Sequence, residues 1–200
     1  SSGGLYEINS QSGDSKRLDV NRIGQTITYQ GWGLDYKNID FNLDYSKSVI
    51  AIRDTADSTS WGNQRVNIYL KDLSNGYIKR IDYSLTTNEM GNSSSPRINN
   101  DGNRILFESD LSLTSDAPSG TNLFLWETGG YWNKRGSFYL LNKTNEGNIF
   151  NSTFGWHADL SGDGNKIVFQ TNEALDPTDT NGVSDVYVKD ISSGMIIRAS

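Results

Sequence analysis

The sequence of 200 residues is acidic and contains no cysteine. Its formal net charge is −6, its pI is about 4.7, and 34% of its residues are hydrophobic. A chain of this length can bury a sizeable core, but without cysteine it forms neither a disulfide framework nor a thiolate site. Lysine and arginine are scattered and no apolar stretch is long enough to cross a bilayer, so we expect no nucleic-acid partner and no membrane insertion.

A strand-like segment followed by a glycine recurs along the chain. In three copies the glycine follows an anchoring tyrosine by seven residues: Tyr6 and Gly13, Tyr69 and Gly76, Tyr187 and Gly194. A fourth copy around Phe124 keeps the strand pattern but not the glycine spacing. Successive anchors are 63, 55 and 63 residues apart, which is the period of a multi-strand unit stacked on its neighbours.

A second motif precedes these segments. Asp101-Gly102 comes before the apolar run 105–107, and Asp163-Gly164 comes before the run 167–169. Asp-Gly favours a tight hairpin turn. A degenerate copy near Asp44 has lost the glycine, and the sequence leaves its register open by one residue. Each unit is therefore predicted to contain a strand, an Asp-Gly turn, a strand, a long loop, a strand, a glycine turn and a last strand.

In chain order, the pattern predicts a partial unit over residues 5–30 before three complete ones. Residues 5–18 carry only the last two strands of a unit, and we expect residues 26–30, or another chain, to pair with their open edge. Because Ser1-Ser2-Gly3-Gly4 directly precedes half a unit, we favour a missing upstream segment of a larger parent protein over a compact ring. Residues 21–38 fit no repeat.

The complete units are predicted at 37–84, 95–143 and 154–200, all within one domain, 1–200. Four antiparallel strands per repeat form the blade of a β-propeller, and the residues resemble the TolB-like propeller repeats. The match is strongest from Asp163 to Arg198, good in the middle unit up to Phe124 and weak over 37–84. The resemblance implies an all-β propeller and no single function, because this repeat serves periplasmic scaffolds, peptidase gating domains and surface proteins alike.

The strongest candidate for a metal site is an acidic loop before the last anchor. Asp179, Asn181, Gly182 and Asp185 occupy positions 3, 5, 6 and 9 of a calcium loop, and Asp176 could replace the carboxylate missing from position 1. The alternative is structural: the side chains form Asx-turns and tie the loop to the next strand. Asn67 and Asn122 stand where Asp185 stands, and two amides in place of a carboxylate favour the structural interpretation.

Catalysis is not expected from this chain. His157, the only histidine, is predicted in the first strand of the last unit at the position of Ser95, where it could face a central channel. No Gly-x-Ser-x-Gly segment exists to form a nucleophile elbow. Sequence alone places no pair of carboxylates at the separation that glycoside hydrolysis requires.

Aromatic residues provide the candidate ligand-binding positions. Trp32, Trp61 and Trp156 lie outside the strand cores and, with His157, are predicted to contact a glycan or a protein partner. The alternative for these tryptophans is packing between blades, which is the role we expect for Trp126 inside a strand.

The sequence therefore predicts a non-catalytic propeller module that presents loops for protein or glycan binding. We expect it in an exported protein, whether extracellular, periplasmic or on the cell surface, and with no cofactor unless Ca²⁺ binds. Two alternatives stay open: a calcium-stabilised structural domain, and the propeller domain of a hydrolase whose catalytic domain lies elsewhere.

Overall fold

The computed structural model describes residues 6–8, 11–12, 15–17, 39–54, 65–83, 91–130, 135–151 and 157–200. These residues contain fourteen β-strands and no helix. The strands are β1 (Tyr6–Ile8), β2 (Ser15–Arg17), β3 (Ile39–Phe41), β4 (Lys47–Asp54), β5 (Arg65–Asp72), β6 (Ile78–Arg80), β7 (Ser93–Ile98), β8 (Arg104–Ser109), β9 (Asn122–Glu127), β10 (Ser137–Leu140), β11 (Asp159–Leu160), β12 (Lys166–Thr171), β13 (Asp185–Asp190) and β14 (Ile196–Arg198).

The strands form three four-stranded antiparallel sheets, as the repeat predicts. The first blade is β3–β6, the second β7–β10 and the third β11–β14, and each strand pairs with its sequence neighbours. β1 and β2 form a separate antiparallel pair, which matches the expected last two strands of a blade. The expected pairing of residues 26–30 lies outside the described residues.

The turn after the first strand has the same geometry in all three blades. Gly102 and Gly164 take left-handed φ angles of 67° and 74°, a conformation that glycine adopts without steric cost. Tyr45 occupies the same position in the first blade with φ of 55°, and its amide donates to the carbonyl of Asn42 at 3.0 Å as the glycine amides do in their own turns. The structure thus settles the register that the sequence left open.

These turns are linked from blade to blade by backbone hydrogen bonds. The Leu43 amide donates to the Asn100 carbonyl at 3.3 Å, and the Asn100 amide donates to the Gly162 carbonyl at 2.8 Å. We call the margin of the blades that carries these turns the turn edge. The long loops between the second and third strands lie at the opposite margin, which we call the loop edge.

A cation from each of the first two blades reinforces the same contact. The Lys47 ammonium donates to the Asp101 carbonyl at 3.1 Å, and the Arg104 guanidinium donates to the Gly164 carbonyl at 3.0 Å. Lys47 and Arg104 occupy equivalent positions, two residues after the left-handed turn residue. In these two blades, the positive residue after the turn therefore binds the next blade as well as starting its own strand.

Two apolar clusters fill the spaces between the blades. In each, the strands of the earlier blade contribute aliphatic side chains, and the strands of the later blade contribute the aromatic rings together with further aliphatic side chains. Six residues of the repeated apolar runs and anchor positions are buried there: Ile105, Phe107, Phe124, Ile167, Phe169 and Tyr187. Trp126 is buried there as well. Their alternation along the strands is what the apolar runs of the sequence encode.

The second interface also contains a buried lysine that the sequence pattern did not reveal. Lys189 of β13 donates from its ammonium to the carbonyls of Leu141, at 3.0 Å, and Lys143, both in the second blade. Burial, together with the charge of Lys143, lowers the pKa of Lys189 to about 8. Because a neutral amine still has two protons to donate, both carbonyls can remain satisfied.

The third blade repeats the aliphatic face but leaves it exposed. Val49, Leu106 and Val168 are equivalent residues of the three second strands; the first two are fully buried, whereas Val168 is 36% exposed. Ile197 on the same face is 53% exposed. The cation of this blade, Lys166, pairs with Asp190 of its own sheet at 2.9 Å. We call this surface, formed by Val168, Val186, Val188 and Ile197, the outer face.

The equivalence of Leu106 and Val168 gives a matched pair of substitutions. Leu106→Ala should lower the free energy of unfolding by about 2–5 kcal/mol, because it opens a cavity in a closed interface. Val168→Ala should cost less than about 1 kcal/mol, because its side chain is partly hydrated already. Urea denaturation of the two variants measures both. Equal losses would contradict the assignment of the outer face as uncovered.

Candidate functional site

The acidic loop at the loop edge of the third blade is held by hydrogen bonds among its own side chains. Asp176 accepts from the amide of Thr178 at 2.8 Å and from its hydroxyl at 2.6 Å. Asp185 accepts from the hydroxyl of Ser200 at 2.7 Å and from the amide group of Asn181 at 2.9 Å. These donors lower the pKa of both carboxyl groups, so the loop stabilises their ionised forms.

A tyrosine hydroxyl anchors the same loop to the core. Tyr187 donates to Asp179 and accepts from the amide of Leu175 at 3.3 Å. Arg198 lies 3.6 Å from Asp179 and adds a second contact. Burial, followed by the hydrogen bond to Asp179, raises the pKa of Tyr187 to about 12. The Asp-Val-Tyr pattern of the sequence thus encodes a link between loop and strand.

The amide at the equivalent position of the second blade has the same structural role. Asn122 donates to the carbonyls of Pro118 and Gly120, each at 2.9 Å, and so closes the long loop of its own blade. Asn181 and Asp185 close the loop of the third blade by a different pair of groups. The repeated function of this position supports the structural interpretation of the acidic loop.

The four residues predicted as calcium ligands share one loop. Each of Asp176, Asp179 and Asp185 accepts hydrogen bonds from protein donors, and Asn181 accepts from the amide of Val183 at 2.9 Å. Within the part of the chain that the structure describes, no three His, Cys, Asp or Glu side chains are grouped as a metal site requires. A cation would have to displace these donors, and calcium binding stays a prediction.

His157 lies just before the first strand of the third blade, not inside it as predicted. Strand β11 begins at Asp159, and His157 has a left-handed φ of 41°. The equivalent residue Ser95 has φ of 54° and lies at an irregularity in the pairing of β7 with β8. A β-bulge redirects side chains, and here the exposed imidazole is 3.2 Å from the side-chain oxygen of Gln170.

The other predicted ligand-binding residues, Trp32, Trp61 and Trp156, lie outside the described residues. The structure instead reveals an exposed apolar pair at the turn edge of the first blade. Leu43 is 71% exposed and Tyr45 is 65% exposed. The missing glycine after Asp44 was the signal in the sequence that could have identified this position.

A small cavity lies at the turn edge between the first and second blades, and the turn residues Gly102 and Asn103 are part of its wall. Its volume is about 120 Å³, and its walls include Lys47, Leu70, Lys79 and Trp126. The Lys79 ammonium lies 5.3 Å from the centre of the Trp126 ring, close enough for a cation–π contact. The turn edge therefore combines apolar, aromatic and cationic groups.

Comparison with known proteins rests on structure alone. No protein-family model and no curated protein sequence matches the chain. The chain superimposes over 98% of its length on TolB from Acinetobacter baumannii, with a TM-score of 0.54 and 20% identity. It has a TolB-like β-propeller fold. Similar agreement over 98% of the chain is found with the tricorn protease (TM-score 0.56, 12% identity) and with an oligogalacturonate lyase in complex with manganese (TM-score 0.54, 13% identity).

These propellers include enzymes and TolB, so the fold leaves the activity open. The chain spans 37% of TolB, 20% of the tricorn protease and 42% of the lyase. In the described part of the propeller, no helix is long and apolar enough to cross a membrane.

The link between Tyr187 and Asp179 can be tested by Tyr187→Phe. The variant should lose about 1–3 kcal/mol of unfolding free energy at neutral pH, because Asp179 loses a buried donor. Since folding raises the pKa of this phenol from 10.0 to about 12, the contribution is complete below pH 10 and declines as the pH rises toward 12. Denaturant unfolding at several pH values measures the difference between the two proteins. A difference that stays constant up to pH 12 would contradict this role.

The acidic loop can be tested with calcium. If the loop binds the ion, calcium at about 100 times its dissociation constant should stabilise the fold by about 2.7 kcal/mol and raise the melting temperature. If calcium binds, Asp185→Asn should abolish that response. If the loop is purely structural, the same substitution should lower the free energy of unfolding only slightly. If the wild type has the same melting temperature in chelator and in millimolar calcium, the calcium interpretation is wrong and only the structural interpretation survives.

Proposed function

We propose that this chain is a non-catalytic propeller module that binds a protein or glycan partner through the turn edge of its first blade. The observation that carries the proposal is Tyr45. Its side chain is exposed, and its backbone has the left-handed conformation that glycine provides in the other two blades.

Retaining a tyrosine at this position has a measurable cost. A bulky residue at positive φ is strained by about 1–3 kcal/mol, and the repeat does not require it, because Gly102 and Gly164 form the same turn. Among the residues that the structure describes, the aromatic neighbour of the Tyr45 ring is Phe41, with ring centres 5.9 Å apart. Strain combined with exposure favours a role outside folding, and aromatic side chains are enriched at binding surfaces.

The absence of catalysis is part of the proposal. The described acidic residues cap turns: Asp72 and Asp190 accept from the amides of the C-terminal turns of their blades, and Asp163 accepts from the amide of Asn165. His157 contacts an amide oxygen. A hydrolase would have to supply its chemistry from another domain, and a Gly-x-Ser-x-Gly domain in a longer parent protein would favour that alternative.

We also propose that the parent protein is exported and that another segment of it, or a second chain, covers the outer face. The abundance of Asn, Ser, Thr and Gly is typical of secreted and surface β-proteins. Val168 and Ile197 supply an aliphatic surface like the buried ones of the first two blades. A calcium-stabilised structural domain is the second candidate, because Asp176, Asp179 and Asp185 follow one another in a single loop, although their carboxyl groups are not grouped as a metal site requires.

The test is Tyr45→Gly. This change should raise the free energy of unfolding by about 1 kcal/mol, because it removes backbone strain, while weakening partner binding at least ten-fold. Binding is measured on an immobilised glycan panel and, in a separate arm, by crosslinking to exported proteins from a photoreactive amino acid at position 45.

Tyr139→Ala is the matched control. Tyr139 is an exposed aromatic residue in a regular strand of the second blade, so its removal should leave binding unchanged. Retained binding by Tyr45→Gly, or equal loss in both variants, would refute the proposed surface.

A further inference from the structure

At the loop edge of each blade, a side chain at the start of the third strand lies opposite a side chain at the end of the fourth strand. Strand register makes the three pairs equivalent. They are Asn67 and Asp82 in the first blade, Asn122 and Asn142 in the second, and Asp185 and Ser200 in the third.

In the second and third blades, one member of the pair donates to the other. Asn142 donates to the side-chain oxygen of Asn122 at 3.0 Å, and Ser200 donates to Asp185 at 2.7 Å. Each donor also accepts from the backbone amide that follows its partner: those of Leu123 at 3.1 Å and of Val186 at 2.9 Å. The fourth-strand side chain therefore acts as acceptor and donor at once.

The first blade places a carboxyl group in this role. Asp82 accepts from the backbone amide of Ile68, as its counterparts do in the other blades. Its Oδ2 is buried without a hydrogen-bond partner, and so is Oδ1 of Asn67. Two buried acceptors without a donor are costly. A protonated carboxyl group has a hydroxyl that can donate, which would restore the arrangement seen in the other two blades.

We propose that Asp82 is protonated in the folded protein and donates its proton to Asn67 Oδ1, which makes this contact between β5 and β6 sensitive to pH. When the carboxyl group ionises, the donor is lost and two acceptor oxygens face each other in a buried site. The contact then weakens at the end of β6, where the chain leaves the first blade.

The groups around Asp82 act in opposite directions. Arg80 of β6 donates from Nε to Asp82 Oδ1 at 2.9 Å and favours the carboxylate, but its side chain is 34% exposed and its charge is screened. The hydroxyl of Ser93 in β7 has a single proton, which it donates to Ser109 of β8 at 2.9 Å; turned towards Asp82, the same proton favours the carboxylate. Burial opposes ionisation and raises the pKa of Asp82 in spite of these contacts.

The direct test is a titration of the Asp82 carboxyl carbon by NMR in the intact protein, assigned with Asp82→Asn. The midpoint should lie above the ordinary aspartate value of 3.8. Because folding raises this pKa, the contact contributes fully below the unfolded value and is lost as the pH rises through the folded value. A midpoint at or below 3.8 would overturn the proposal in favour of an ionised pair with Arg80.

Two variants give an independent readout. Asp82→Asn reproduces the pair of the second blade, so it should remove this pH dependence of the melting temperature without lowering stability at neutral pH. Asn142→Asp should create the same pH dependence in the second blade. If Asp82→Asn lowers the melting temperature equally at pH 5 and pH 8, or if Asn142→Asp leaves the pH profile unchanged, the proposal is wrong.

Discussion

The contact between neighbouring turns is the constraint on which the rest of the molecule depends. Leu43, Asn100 and Gly162 link three turns by backbone hydrogen bonds, and Lys47 and Arg104 reach across to the next blade. These bonds fix the translation of one sheet relative to the next. With that translation fixed, aliphatic side chains of one blade meet aromatic and aliphatic side chains of its neighbour, and the long loops are collected at the opposite margin.

The same constraint explains why the two margins differ in chemistry. At the loop edge, carboxylates and amides are used to close loops, so abundant acidic residues do not by themselves form a reactive centre. At the turn edge, a glycine is sufficient to form the turn, and the first blade has Tyr45 in its place. In a repeat whose other positions suit the fold, a residue held in a backbone conformation that is unfavourable for its type is expected to serve function.

The sequence predicted the blades well because strand periodicity, Asp-Gly turns and the tyrosine–glycine spacing all indicate the same local structure. Burial of Phe107, Phe169 and Tyr187 followed from that pattern. The sequence was less informative about the site. An apolar pattern predicts His157 inside a strand because it does not reveal the left-handed backbone at this residue, and the meaning of Tyr45 likewise depends on a backbone angle. The buried Lys189 could not be foreseen, because its partners are carbonyls of another blade.

The two sides of each interface are unequal, because the buried aromatic rings of the strands all come from the later blade, and this gives the assembly a polarity. A further blade that packs on Val168 and Ile197 in the way that these blades pack on one another must present its ring-bearing face, so such a contact joins two different faces and is head-to-tail. A ring built in this way closes when the last aliphatic face meets a free ring-bearing face, so closure depends on supplying the correct end and not merely on the number of blades.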